Sequence, residues 1–122
     1  MGEETDVTQH RIADVIGEYA ITLEDGEQVY RLIHDDLMHG RNVELDFSGV
    51  SVYASPFLNA AIGRLLEDMS VDDLRRQLKL TNLTSAGTET LRRVVENSRD
   101  FYQRADYRDA VSQVIRERAG AS

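Results

Sequence analysis

Apolar and polar residues alternate most sharply at residues 42–47, where Val43, Leu45 and Phe47 interleave with Asn42, Glu44 and Asp46. That is the period of a strand with one buried face. Residues 11–16 mix β-branched and polar side chains before Gly17 and predict a first strand, and residues 19–21 a short second extended piece. Thr22 with Asp25 three positions on has the spacing of a capping box, so a helix is predicted to start there. Val29, Tyr30, Ile33 and Leu37 form its inner stripe, and Gly40, able to take a left-handed conformation, ends it.

Ser48-Gly49 closes the 42–47 strand, and residues 50–53 lead into Ser55-Pro56. Proline is tolerated at the first helical position, which makes Ser55 the expected N-cap of a helix. Its stripe is Phe57, Leu58, Ala61, Ile62, Leu65, Leu66 and Met69. Ser70 with Asp73 repeats the capping spacing and predicts a short helix to about Leu78, and residues 79–82 read as a strand. Thr84 or Ser85 would cap a further helix with Leu91, Val94, Val95 and Tyr102 inward. Residues 106–119 place Tyr107, Ala110, Val111, Val114 and Ile115 at helical spacing, predicting a last helix.

Strand and helix alternate throughout, which calls for crossover connections and a mixed or mostly parallel sheet. The expected fold is α/β, with about four strands, helices packed mainly on one face and an extra C-terminal helix. Residues 1–10 are expected to be a flexible N-terminus, 11–102 the domain, and 103–122 a helical extension.

With 122 residues, 41% of them hydrophobic, the chain has enough material for one core and too little for two. A formal charge of −8, with no basic stripe, opposes binding to nucleic acid. There is no cysteine, which removes disulfides, thiolate metal sites and a cysteine nucleophile and fits a reducing compartment. Residues 1–7 lack the basic start and apolar run of a secretion signal, and no stretch has the length to span a bilayer. The expected location is the cytoplasm, away from membranes. Neither a glycine-rich phosphate loop nor a nucleophile elbow is present, so no cofactor is expected.

The run Val43-Glu44-Leu45-Asp46-Phe47-Ser48-Gly49-Val50, followed by Ala54-Ser55-Pro56-Phe57-Leu58-Asn59-Ala60-Ala61-Ile62-Gly63-Arg64-Leu65, resembles the signature of bacterial STAS-like domains of uncharacterised function. The likeness continues upstream through Glu24-Asp25-Gly26 and downstream to Glu96-Asn97 and Phe101-Tyr102, covering roughly residues 11–102. The related antagonists of anti-sigma factors carry a "DSSG" stretch at the corresponding helix start, with the second serine phosphorylated. Here that stretch reads Ala54-Ser55-Pro56-Phe57, so the phosphoacceptor is replaced by Pro56. The resemblance implies a non-enzymatic switch whose partner is a protein, an ATP-binding kinase-like or anti-sigma-like regulator docking near the helix start.

The candidate contact residues are Tyr53, Ser55, Asn59 and Arg64. For Ser55 the N-cap reading outweighs phosphorylation. Asp46 before Ser-Gly is read as a turn residue ahead of a catalytic or metal role. His34 and His39 lack the spacing of a helical zinc pair, and Arg75-Arg76 and Arg92-Arg93 are read as exposed helix charges. Phe57 and Leu58 are assigned to the core ahead of a role as exposed anchors. The stripe from Tyr107 to Ile115 would close the domain's own core or bury itself in a homodimer. The competing function is a small ligand-binding or enzymatic domain with a pocket near Asp46, Ser51 and Ser55.

Overall fold

A computed structural model describes residues 7–121, with side chains described for residues 7–104. Its elements run β1 (Val7–Arg11), α1 (Ile12–Ile16), β2 (Tyr19–Ala20), α2 (Leu23–Met38), β3 (Asn42–Asp46), β4 (Val52–Tyr53), α3 (Ser55–Ala61), a 3-10 helix (Gly63–Glu67), α4 (Val71–Gln77), β5 (Leu78–Thr81) and α5 (Ser85–Ala121). One sheet has the order β1-β3-β5 and a smaller one pairs β2 with β4, all in parallel. The α/β architecture with parallel strands and a C-terminal helix is therefore the one the sequence predicts.

The registers Thr8↔Val43↔Leu78 and His10↔Leu45↔Leu80 put these side chains on the face toward α2 and α4. Val43, Leu45 and Leu78 are buried there with Phe47, Ile33 and Leu37. The alternate rows, Gln9 with Glu44 and Lys79, then Arg11 with Asp46 and Thr81, carry only polar side chains and stay at least partly open to solvent. Such one-faced burial gives β3 its period of two.

The start of the chain departs from expectation. Residues 11–16, predicted as the first strand, are one strand residue followed by α1, and the strand is residues 7–11, mostly inside the segment expected to be flexible. Ile12, Val15 and Ile16 pack toward the core at i, i+3, i+4 spacing, a helical period. β1 lacked a signal because it is an edge strand with a single apolar residue, Val7.

Three predicted caps are in place, one of them at α5, where the Thr84 hydroxyl accepts the Gly87 backbone N–H at 3.0 Å. The Thr22 hydroxyl accepts the Asp25 backbone N–H at 3.1 Å, and the Ser70 hydroxyl that of Asp73 at 3.1 Å. α2 ends with His39 as its C-cap and Gly40 next, at φ +76. The helix expected over residues 55–69 is instead α3 followed by the 3-10 helix, with Ile62 between them at φ −122, ψ −47. Gly63 weakens α-helical continuity at that point. A Cβ on it would lie 2.4 Å from Ser98 Oγ, so its absence admits α5 at close range. The two helices expected after residue 84 are one, α5, which continues through Ala121; the Tyr107-to-Ile115 stripe lies outside the described side chains.

Candidate docking surface

Backbone bonds fix the link into α3 before any side chain acts. Val50 N–H donates to Phe47 O at 3.0 Å, Ser51 N–H to Glu18 O at 2.9 Å and Ala54 N–H to Ala20 O at 2.9 Å, which clamps the link against β2. Tyr53 turns inward. Its hydroxyl donates to Val50 O at 3.3 Å, its ring lies 5.9 Å from that of Phe47, and α5 approaches its edge at Gly87. Tyr53, expected as a contact residue, thus locks the link in place.

The cap of α3 is Ala54, not Ser55. Ala54 is extended at φ −118, ψ 147, and its carbonyl accepts Leu58 N–H at 3.2 Å. Ser55 is the first helical residue and makes no side-chain cap bond; Pro56 is the second. The shift forfeits no intrahelical hydrogen bond, because the first turn's N–H groups have no partner inside the helix and proline lacks only one of these. The Ser55 side chain faces solvent, whereas Phe57 and Leu58 are both 0% exposed and belong to the core.

Asn59, one turn after Ser55 and so on the same face, is exposed, as is Arg64 on the 3-10 helix. The Arg64 guanidinium lies 4.5 Å from the centre of the Tyr30 ring. Asn59 and Arg64 form one wall of a cleft of about 330 Å³ whose other wall is Asn97, Ser98, Phe101 and Tyr102 of α5. Burial, partly offset by Arg64, raises the Tyr102 phenol above its ordinary range. Phe101 is 56% exposed, with its ring 5.1 Å from that of Tyr102. It was not among the predicted contacts: seven residues after Val94, it stands at the edge of the α5 stripe, where periodicity does not separate a core position from an exposed one.

Asp46 accepts Ser48 N–H at 2.9 Å and Asn82 Nδ2–H at 2.8 Å, the Asx turn its sequence suggested. The Asn82 bond, then the Ser48 N–H, hold its carboxyl below the usual range. The Ser51 hydroxyl donates to Glu18 at 3.4 Å. Asp46 and Ser51 thus have separate local partners, and the Ser55 side chain has none among the described residues. His34 Nε2 is 3.1 Å from Asp68, while His39 Nδ1 is 2.7 Å from Asp35 O of its own helix. A second groove, about 430 Å³, lies between α4, β5 and α5, floored by Leu74, Leu78 and Leu91 and rimmed by Arg75, Arg92 and Arg99; its lining includes neither Asp46 nor Ser55. Among the described residues no helix is long and apolar enough to cross a membrane.

Comparison with curated proteins and with solved structures finds no match. A family model described as a STAS-like domain of unknown function (DUF4325) matches residues 25–88. That span is just over half of the chain and contains α2 from Asp25 onward, β3, the clamped link, α3 and β5. The chain therefore belongs to this family of STAS-like domains.

Proposed function

We propose that the protein is a non-enzymatic regulatory module of the cytoplasm that docks on a protein partner through the start of α3 and the adjoining cleft. The observation that carries this reading is the arrangement of Ser55, Asn59, Arg64 and Phe101. These are exposed side chains held by a clamped link, a fully buried helix face and α5. An exposed aromatic beside an amide and a guanidinium is the composition of a protein contact, where aromatic and arginine anchors dominate the binding energy. Family membership supports the same reading, with a regulator of the kinase-like or anti-sigma-like kind as the partner. Control by phosphate at the family's usual position does not carry over, because Pro56 stands there. Asp46 supports a ligand-binding reading poorly, since its carboxylate is already engaged by Ser48 and Asn82.

The test is capture of the endogenous partner by tagged protein. Asn59→Lys and Phe101→Ala are expected to weaken capture at least about tenfold, while each leaves stability within about 0.5 kcal/mol, as is usual for surface changes. Undiminished capture by both variants, folded as the parent is, would reject this surface. Arg64→Glu is the poorer probe, because it also removes the stack on Tyr30, a contact of about 0.5–1 kcal/mol.

A further inference from the structure

The smaller sheet has an apolar inner face and an apolar outer one. Ala20 and Tyr53, paired in register, face the core. Tyr19 and Val52, also paired, lie on the other side, and the extended backbone through Thr22 puts Ile21 on that side too. Leu23, at the start of α2, extends the patch. Tyr19 is 54% exposed, Ile21 43%, Leu23 50% and Val52 40%, so this end of the molecule holds half of the large apolar side chains left exposed among the described residues. Apolar side chains gathered in this way mark an interaction site far more often than single scattered ones do.

The charge around the patch identifies what covers it. Residues 17–30 and 47–63, which include it, contain Glu18, Glu24, Asp25 and Glu27 and no Lys, Arg or His; of the cations that touch these segments, Arg11 beside Ser48 is paired with Asp14 and Arg64 lies over the Tyr30 ring. Among the described residues none of these four carboxylates forms an ion pair. A second copy would bring the same carboxylates against their like, and an anionic bilayer would be repelled. A cationic surface with an apolar centre satisfies both features.

We infer that the outer face of β2 and β4 is the anchor for a basic, apolar-centred segment of a partner protein, its Lys or Arg side chains meeting Glu18, Glu24, Asp25 and Glu27. This rests on the docking reading above and supplies the chemistry of the partner, because Ala54 and Ser55 continue directly from β4.

The test titrates the full chain with three helical peptides that share one apolar stripe and carry polar faces of Lys, Gln or Glu, read by fluorescence anisotropy. The Lys-faced peptide is expected to bind at least about tenfold more tightly than the other two. Val52→Glu, and separately Glu18→Lys with Glu24→Lys, should each reduce that binding about tenfold or more, whereas Asp35→Lys with Asp72→Lys, the same charge change at remote exposed positions, should reduce it less than about threefold. The inference is overturned if the parent binds none of the peptides, if it binds all three alike, or if the remote pair weakens binding as much as the local pair. Sedimentation covers the self-association outcome: a dimer dispersed by Val52→Glu would assign the face to a second copy and overturn the basic partner. Because the Asn59 and Phe101 variants report on the endogenous partner, the docking reading can fail while the peptide result stands, and the reverse.

Discussion

Thr22, Ser55 and Ser70 are three hydroxyl residues at helix starts, and only two of them cap. Each of the two accepts the N–H three residues on, at 3.1 Å, and removing such a bond by alanine substitution costs about 1 kcal/mol. Thr22→Ala and Ser70→Ala should each lower stability by about that amount in chemical denaturation, while Ser55→Ala should stay within about 0.5 kcal/mol, since its side chain bonds nothing at the helix start. A loss of about 1 kcal/mol in Ser55→Ala would mean that the cap is Ser55 after all. The caps at Thr22 and Ser70 were legible because an acidic residue stands three positions on in each case. The cap before Pro56 lies one residue earlier than the sequence predicts, because proline is also tolerated at the second helical position, whose N–H has no partner inside the helix.

Between α2 and α3 the fold depends on an approach that only glycine allows. A Cβ built on Gly26 would lie 2.4 Å from Phe57 O and 2.8 Å from Ala60 Cβ, and the first of these is backbone that cannot swing aside. Gly26→Ala should therefore separate the two helices and cost about 1–3 kcal/mol, as overpacking of a tight interface does, despite alanine's better helix propensity. Thermal unfolding checks this, and a variant as stable as the parent would mean that α3 yields easily. Elements with a buried stripe and a clear stop, α2 and β3 among them, could be read from the pattern of the chain. β1 could not, being a polar edge strand whose identity comes from pairing with β3. Nor could the break at Ile62, since the apolar stripe runs on through Leu65 and Leu66 while the backbone changes hand-hold from four-residue to three-residue bonds. The cleft at Asn59 was half legible. Its α3 wall followed from the resemblance, but Phe101 joins it only through the packing of α5, which no local pattern reveals.

For the molecule as a whole, acid acts in two opposed ways. The chain carries 22 acidic residues and a formal charge of −8, so protonation relieves general repulsion as the pH falls. Asp46 works against that trend. The Asn82 amide and the Ser48 N–H favour its ionised form, so its folded pKa lies below the ordinary value of 3.8. A carboxylate of this kind adds stability above its unfolded pKa and loses it as the pH falls through the lower, folded value. The Asn82 bond joins the end of β3 to the residue after β5, so the loss falls on the sheet that organises the domain. Asp46→Asn isolates the effect, because asparagine still accepts the Ser48 N–H through its side-chain oxygen but does not titrate. Urea midpoints for parent and variant should differ most near neutral pH, with the parent the more stable, and the difference should shrink as the pH drops below about 4. The other carboxylates titrate alike in both proteins and cancel in the comparison. A difference that stayed constant down through the acid limb would show that the hydrogen bonds to Asp46 are indifferent to its charge, contrary to the arrangement of donors around it.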